Sequence, residues 1–142
     1  MLEKKNVLFL CTGNSCRSQM AEAIINARLG NQWRAFSAGT QPSGYVHPFA
    51  LKALAQIGIE HKGESKHADT LRDLEFALVI TVCDAAAEQC PVWLGRGQRI
   101  HSGFDDPAQV QGTAEEIESV FYRVRDEIAE KIPVLLDEFL TG

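Results

Sequence analysis

Residues 6–18 have the sequence NVLFLCTGNSCRS, and this stretch decides the organisation of the chain. Its apolar run at residues 7–10 is typical of a strand that is buried on both faces, as in a parallel sheet. The run stops at Cys11, and residues 12–15 favour turns. A helical pattern of apolar residues begins after Arg17. The stretch therefore predicts a strand, a tight polar loop and a helix.

The predicted loop is suited to hold an oxyanion. Backbone N–H groups of such a loop and of the helix start point into one concavity, where the helix dipole adds partial positive charge. Arg17 adds a planar guanidinium that matches two oxygens of a phosphate-like group. We therefore predict that seven consecutive residues bind the oxyanion: Thr12, Gly13, Asn14, Ser15, Cys16, Arg17 and Ser18.

Cys11 is the candidate nucleophile of this site. The thiolate form of a cysteine is favoured near neutral pH when the thiol lies at the lip of an anion-binding loop. The arrangement predicts a thiolate that attacks a bound tetrahedral oxyanion, with Ser18 donating a hydrogen bond to the sulfur. The alternative is that Cys11 is only a small buried residue at the end of a strand. That interpretation does not explain why Arg17 and Ser18 stand at these offsets from it. The Cys16 side chain would not point at the same anion, and a structural role is favoured for it.

Composition and charge predict one soluble domain. A chain of 142 residues with 45% hydrophobic composition is long enough to bury a core, and we assign residues 1–142 to a single domain. The formal net charge of −5 argues against a general nucleic-acid or membrane-surface binder. The apolar run after Lys4 and Lys5 is too short for a signal peptide, and no stretch approaches a transmembrane span. We therefore expect a cytoplasmic protein.

The cysteines and histidines indicate redox or nucleophilic chemistry rather than metal binding. Four cysteines in a cytoplasmic chain are not typical of a disulfide framework. No pair has the two-residue spacing of a zinc knuckle, and the four histidines are scattered along the chain. The sequence therefore predicts no metal site.

The remaining sequence alternates between strand and helix patterns. We predict helices from Arg17 to about residue 30 and at 47–57, 84–89 and 113–140, a helical turn at 70–74, and strands at 33–38, 76–82 and 98–101. Thr113 and Glu116 form a capping box at the start of the last helix, and Pro133 should kink or split that helix. The alternation predicts a three-layer α/β/α sandwich around a four-stranded parallel sheet in the order 2-1-3-4.

The carboxyl ends of the predicted strands define the active-site edge of the sheet. Cys11 ends the first strand, Cys83 follows the third, and Asp106 follows the fourth. The position of Asp106 opposite the loop makes it a candidate general acid, although an Asp before a proline is also a common turn former.

Cys83 and Cys90 are a second candidate pair. On an intact helix they would lie about 10 Å apart along the axis, whereas a disulfide needs Cα atoms within about 7 Å. The pair can bond only if the intervening helix unwinds, which the small and polar residues at 84–89 permit. The alternative is that the two cysteines are unrelated buried thiols. Cys83 lies on the same sheet edge as Cys11, and this position disfavours that alternative.

Five motifs are spread over essentially the whole chain: CTGNSCRS at 11–18, TVC at 81–83, CP at 90–91, GFDDPA at 103–108 and RVRDEI at 123–128. Together they resemble the motifs of the thioredoxin-coupled arsenate reductases, which share the fold of the low-molecular-weight protein tyrosine phosphatases. The first motif alone indicates only the superfamily. The pair Cys83 and Cys90 points to the reductases.

This resemblance implies a mechanism and its partners. Cys11 attacks arsenate held by the loop and Arg17, and Asp106 protonates the leaving oxygen. Cys83 then attacks Cys11, arsenite leaves, and Cys90 attacks Cys83. Thioredoxin reduces the resulting disulfide by exchange. The resemblance also implies no resident cofactor, phosphate and sulfate as competing oxyanions, a monomeric state and a role in arsenic detoxification.

Two departures from the family's pattern refine this prediction. Some members bind potassium beside the loop through equivalents of Asn14, Glu22 and Ser37 and of a nearby Asp. Lys66 stands at the position of that Asp, and its charge can replace the cation, so we predict no potassium dependence. The phosphatases typically carry tyrosines after the Asp-Pro pair, and the sequence AQV at residues 108–110 disfavours phosphotyrosine.

Three alternatives stay open on the sequence. A low-molecular-weight phosphatase acting on phosphotyrosine or phosphoarginine needs only Cys11, Arg17 and Asp106, and leaves Cys83 and Cys90 without a role. A non-catalytic oxyanion-binding or redox-sensing module would bind arsenate or phosphate without turnover. Glutathione with glutaredoxin is an alternative reductant to thioredoxin, because both act by the same exchange chemistry.

Overall fold

The strands and helices that the structure describes occur in the order that the sequence predicts. The computed structural model describes residues 3–84, 93 and 95–142. The elements are, in chain order, β1 (Lys5–Cys11), α1 (Arg17–Arg28), β2 (Trp33–Gly39), α2 (Pro48–Gln56), a first 3-10 helix (Ala68–Leu71), β3 (Leu78–Thr81), β4 (Gln98–His101), a second 3-10 helix (Pro107–Gln109) and α3 (Ala114–Thr141). None of the helices in these ranges combines the length and the apolar composition needed to cross a membrane.

The four strands form one parallel sheet in the order β2-β1-β3-β4, which confirms the predicted topology. β1 lies between β2 and β3. At its carboxyl end, Cys11 lies opposite Gly39 of β2, and Leu10 lies opposite Thr81 of β3. Because all four strands run in the same direction, the segments that follow them leave the sheet at one edge.

One face of the sheet carries the larger core. Val7 and Phe9 point to this face, because alternate residues of a strand point to opposite sides. α1, α2 and α3 contribute fully buried side chains to this core, such as Ile24, Leu54 and Phe121. Burying one such side chain contributes about 1.5–3 kcal/mol. We call this side of the sheet the helical face.

The opposite face carries a smaller core that forms the third layer of the sandwich. Leu10 points to this face, and the first 3-10 helix covers it through Ala68 and Leu71. The Phe76 ring packs edge-on against the ring of Trp93, with 5.6 Å between the ring centroids. Within the described residues, this layer is therefore built from short segments and aromatic side chains rather than from α-helices.

Local capping signals define where α2 and α3 begin. The Nδ1 atom of His47 accepts a hydrogen bond from Phe49 N at 3.1 Å, and Pro48 occupies the first position of α2. Thr113 and Glu116 form the predicted capping box at the start of α3. These starts agree with the sequence prediction.

Two predicted boundaries differ from the structure. The helical turn predicted at 70–74 is instead a 3-10 helix at Ala68–Leu71, because His67 Nδ1 accepts from Asp69 N at 3.0 Å and so sets an earlier start. β3 covers Leu78–Thr81 rather than 76–82. Backbone hydrogen bonds from Ala77 and Val82 to β1 nevertheless extend the pairing by one residue at each end.

Pro133 does not split the last helix, and α3 continues through it. A proline inside a helix removes one backbone hydrogen bond. Ile132 and Leu136 on either side of it are fully buried in the core of the helical face, and this packing offsets the loss. Residues 85–89 of the helix predicted at 84–89 lie outside the described residues.

Candidate active site

A pocket of about 540 Å³ opens at the carboxyl edge of the sheet. Residues 11–17, which end β1 and lead into α1, form one side of it. Asp84, Asp106, Ala108 and Gln109 form the rest of the wall. The predicted nucleophile, the predicted general acid and residues 12–17 of the predicted oxyanion site therefore share one pocket.

Residues 41–47, which we call the bracing segment, hold loop carbonyl groups away from the pocket. Three of its backbone N–H groups donate to them. The pairs are Gln41 N to Thr12 O at 3.0 Å, Ser43 N to Gly13 O at 2.9 Å and His47 N to Ser15 O at 3.0 Å. The C=O and the N–H of a trans peptide point in opposite directions, so the N–H groups that follow these carbonyls point inward. The backbone is therefore arranged for an anion.

Cys11 lies at the base of the pocket, 2% exposed and with a free thiol. Its Sγ atom is 2.9 Å from Ser18 Oγ and accepts a hydrogen bond from Asn14 N at 3.3 Å. Asn14 Nδ2 donates to Ser18 Oγ at 2.8 Å, so the hydroxyl proton of Ser18 is available to the sulfur. Both donors are therefore directed at the Cys11 sulfur. Ser18 is fully buried and supports the sulfur from below.

Arg17 and Asp106 form an ion pair in the wall of the pocket. Arg17 Nη2 is 3.4 Å from Asp106 Oδ2, and the exposed fractions of the two side chains are 4% and 22%. Arg17 Nη1 also donates to Phe104 O at 3.2 Å, which anchors the guanidinium to the segment after β4. Asp106 Oδ1 accepts from Ala108 N at 3.0 Å. The carboxyl is thus oriented from both sides, and its exposed part faces the space an oxyanion would occupy.

Cys16 differs from Cys11 although both thiols are buried and free. Burial raises the pKa of Cys16 to about 12, and a hydrogen bond with Ser15 Oγ at 3.5 Å offsets only part of that effect. A thiol with such a pKa stays protonated and is a poor nucleophile. The site therefore contains one thiol surrounded by donors and one that burial keeps neutral.

Cys83 lies two residues beyond β3, next to the end of β1. Val82 N donates to Leu10 O at 2.9 Å, so the pairing with β1 extends to the residue before Cys83. Cys83 is fully buried and disulfide-bonded. Asp84, which follows it, lines the pocket. Cys90 lies outside the described residues.

A buried polar network lies behind the loop. Ser37 Oγ donates to Glu22 Oε1 at 3.1 Å, and His61 Nε2 is 3.6 Å from Glu22 Oε2. Burial raises the pKa of Glu22, while the charge of Lys66 and the hydrogen bond from Ser37 act in the opposite direction. Burial and the same lysine lower the pKa of His61. No group of three or more His, Cys, Asp or Glu suited to a metal ion occurs within the described part of the chain.

Sequence reasoning missed several residues of this region. Asp84 follows a strand end, and the rule that located Cys83 would also have found it. Gln19, His61 and the bracing segment carry no such signal, because their contacts with the loop join residues far apart in sequence. The roles assigned to Cys11, Arg17 and the other candidate residues stay predictions.

Comparisons with known proteins agree on one family. The family model for low molecular weight phosphotyrosine protein phosphatase matches residues 6–141. An arsenate reductase from Halalkalibacterium halodurans is 47% identical over 132 residues, which cover 92% of this chain and 94% of that protein.

Two solved structures have the same fold. An arsenate reductase in its oxidized state superimposes with a TM-score of 0.77 at 26% identity, covering 95% of this chain and 98% of that one. An arsenate reductase in its phosphate-binding state gives a TM-score of 0.72 at 27% identity, with 95% and 98% covered. The chain therefore belongs to the low molecular weight phosphotyrosine protein phosphatase family and, within it, to the arsenate reductases.

Proposed function

We propose that this protein reduces arsenate to arsenite through a relay of three cysteines and that thioredoxin regenerates it. The observation that carries the proposal is the contrast between two neighbouring strand ends, where Cys11 is a free thiol beside the anion-binding loop and Cys83 is disulfide-bonded. A phosphatase would use only the first of these cysteines. The 47% identity to an arsenate reductase supports the same reaction.

In the first step, arsenate binds against the inward N–H groups of the loop and the guanidinium of Arg17. The thiolate of Cys11 attacks the arsenic atom and forms an S–As bond. One As–O bond breaks, and the oxygen leaves as water after Asp106 donates a proton. The ion pair of 3.4 Å between Arg17 and Asp106 supports this role, because it holds the carboxyl next to the guanidinium that would bind the oxyanion.

The second step reduces arsenic by two electrons and oxidises two thiols. The thiolate of Cys83 attacks the sulfur of Cys11, so that an S–S bond forms and the S–As bond breaks with its electron pair staying on arsenic. Arsenite leaves. Neighbouring strands lie about 4.8 Å apart, and Leu10 lies opposite Thr81. This register supports the step, because it brings Cys11 and Cys83 to the same place on the sheet edge.

The third step returns Cys11 to the thiolate. Cys90 attacks Cys83, and a Cys83–Cys90 disulfide replaces the Cys11–Cys83 disulfide. The dithiol of thioredoxin then reduces this disulfide by exchange. A disulfide-bonded Cys83 together with a free Cys11 is the state expected at this point of the cycle. Because thiol reductants of this kind act in reducing compartments, we place the reaction in the cytoplasm, with phosphate and sulfate as competing oxyanions.

The relay is tested by arsenate-dependent NADPH consumption in the presence of thioredoxin and thioredoxin reductase. The wild-type protein should turn over, and Cys83→Ser should not, because the S–As bond can no longer be broken by a second thiol. Hydrolysis of an aryl phosphate by the same two proteins is the internal control. That reaction needs only Cys11, Arg17 and Asp106, so any weak hydrolysis should survive the substitution.

Two results would redirect the proposal. Absence of arsenate turnover, with brisk aryl phosphate hydrolysis in both proteins, would assign the chain to the phosphatases of its family. Turnover with glutathione and glutaredoxin but not with thioredoxin would keep the reaction and replace the reductant.

A further inference from the structure

Gln19, in the first turn of α1, is a fully buried amide that contacts the back of the anion-binding loop. Its Nε2 atom lies within hydrogen-bond distance of three oxygens. These are Asn14 O at 3.1 Å, Asn14 Oδ1 at 3.1 Å and Glu64 O at 2.8 Å. Its Oε1 atom is 2.8 Å from His61 Nε2. One side chain thus joins the loop, the segment around Glu64 and His61.

The surrounding groups determine the orientation of this amide. Three acceptors surround Nε2, so this end of the amide must be the donor. Oε1 is then an acceptor, and His61 must carry a proton on Nε2. The lowered pKa of His61 agrees with a neutral ring protonated at that atom. The Gln19 amide therefore has one arrangement that satisfies its neighbours.

The partner of this amide is a residue in an unfavourable backbone conformation. Asn14 has a φ of 49°, in the left-handed region that residues other than glycine adopt at a cost. In this conformation its N–H points at Cys11 Sγ and its Nδ2 atom donates to Ser18 Oγ. Gln19 holds both the backbone oxygen and the side-chain oxygen of Asn14, and Lys66 N donates to the latter at 2.9 Å.

We propose that Gln19 is a positioning residue for the reaction, holding Asn14 so that its N–H groups stay directed at the Cys11 sulfur and at Ser18. The inference rests on the proposed oxyanion chemistry of the loop. Without the amide, both oxygens of Asn14 lose a donor and the left-handed conformation is held less firmly. The loop would then lose part of its donor set for the anion and for the thiolate.

The test compares Gln19→Met with a control on the same helix. Methionine has a similar length and no strong donor. Asn26 is the control, because its amide also bonds to backbone, at Ala35, but lies far from the loop along α1. For wild type, Gln19→Met and Asn26→Leu, all fully reduced, three quantities are measured: the dissociation constant for inorganic phosphate, the midpoint of the Cys11 thiolate titration by ultraviolet absorbance, and Tm. Cys11→Ser provides the absorbance baseline.

Gln19→Met should weaken phosphate binding roughly tenfold and raise the thiolate midpoint by about one pH unit. Asn26→Leu should lower Tm without moving either quantity. A folded Gln19→Met protein with the phosphate affinity and thiolate midpoint of the wild type would overturn the proposal. Equal changes in the two variants would overturn it as well, since they would reflect general destabilisation.

The variant Gln19→Glu covers the case in which Gln19→Met does not fold. It keeps the shape and the acceptor for His61, but at neutral pH it places a carboxylate oxygen against the oxygens of Asn14. The phosphate affinity of this variant relative to wild type should therefore recover as the pH is lowered, because the carboxyl regains a proton to donate. If the variant bound phosphate as tightly as wild type at every pH, the proposal would be contradicted. If wild type reduced no arsenate while the variants still moved the midpoint, the proposed function would fail and the positioning role would stand.

Discussion

β1 and β3 lie side by side and each leads to a buried cysteine, but the two sulfurs differ in chemical state. Cys11 is 2% exposed and free, whereas Cys83 is fully buried and disulfide-bonded. Both belong to the core of the helical face. Both cysteines are buried, but Cys11 ends β1 itself and Cys83 lies two residues beyond β3, so different backbone surrounds each sulfur.

The backbone after each strand supplies that difference. After β1 the chain turns into the loop, where the N–H of Asn14 and the hydroxyl of Ser18 face the sulfur of Cys11. After β3 the sheet pairing continues, and Val82 N donates to Leu10 O at 2.9 Å. Its N–H is therefore used by the sheet and is not available to a sulfur. The β1 end is thus distinguished by a loop whose donors are directed at the sulfur of Cys11.

The largest expected effect at the β1 end is that of Arg17→Lys, which should weaken phosphate binding roughly a hundredfold. Lysine keeps the charge but lacks the planar fork that spans two oxygens. Losing hydrogen bonds of this charged type costs about 1.5–3 kcal/mol each, and 1.4 kcal/mol corresponds to about tenfold in affinity. Calorimetric titration of the reduced protein with inorganic phosphate measures the change.

Arg125 offers a matched control for this substitution. It is also buried, at 6% exposed, and its Nη1 atom donates to Ala53 O in α2 at 3.0 Å. Arg125→Lys should lower Tm and leave the phosphate dissociation constant unchanged. Similar losses of phosphate affinity in both variants would mean that buried arginines act through stability, and the role assigned to Arg17 would be withdrawn.

A smaller effect is expected from removing the hydroxyl group of Ser18, near the end of β1, and almost none from removing that of Thr81, at the end of β3. Ser18→Ala removes a donor 2.9 Å from the Cys11 sulfur, and a typical hydrogen bond to a charged group suggests roughly a tenfold slower reaction of that thiol. Thr81→Val removes a hydroxyl that lies 2.7 Å from His101 Nδ1 and faces away from the sulfur. Alkylation rates of the reduced proteins measure both changes. If Thr81→Val slowed alkylation to a similar extent, the effect would not be specific to the hydroxyl group beside the Cys11 sulfur.

The β1 end was predictable because its determinants are contiguous. Cys11, Arg17 and Ser18 stand at fixed offsets after an apolar run, and a short loop that enters a helix directs its N–H groups into one anion-binding concavity. The four-strand order followed from the alternation of strands and helices and from right-handed crossovers. Asp106 was found because it follows the last strand on the same edge.

What sequence reasoning could not supply are the contacts that hold the loop in shape. The bracing segment and Gln19 contact the loop through backbone oxygens, and a backbone oxygen leaves no trace in residue type. Pro133 shows a second limit. Its local effect on a helix was known, but the decision between a split and a continuous helix depended on the burial of Ile132 and Leu136, which is a tertiary property.

The smallest expected effect is that of potassium on the reaction rate, and it depends on Lys66, whose backbone contacts the loop that follows β1. Lys66 Nζ donates to Glu64 O at 3.0 Å, and its charge lowers the pKa of Glu22 against the effect of burial. A positive charge is thus already close enough to act on the Glu22 carboxylate. We therefore expect the same rate of arsenate reduction in potassium and in sodium salts of equal concentration. Potassium stimulation of the wild-type protein would refute this.

Lys66→Asp sharpens that prediction, because it replaces the fixed charge by a second carboxylate. Two carboxylates at close range repel each other, so a cation bound between them would stabilise the region, and the variant should become faster in potassium than in sodium. Lys62→Asp makes the same charge change at an exposed position of the same segment and should stay indifferent to the cation. If both variants responded alike, the effect would be one of net charge. A response confined to Lys66→Asp would mean that a side-chain ammonium does in this protein what a bound ion would otherwise do.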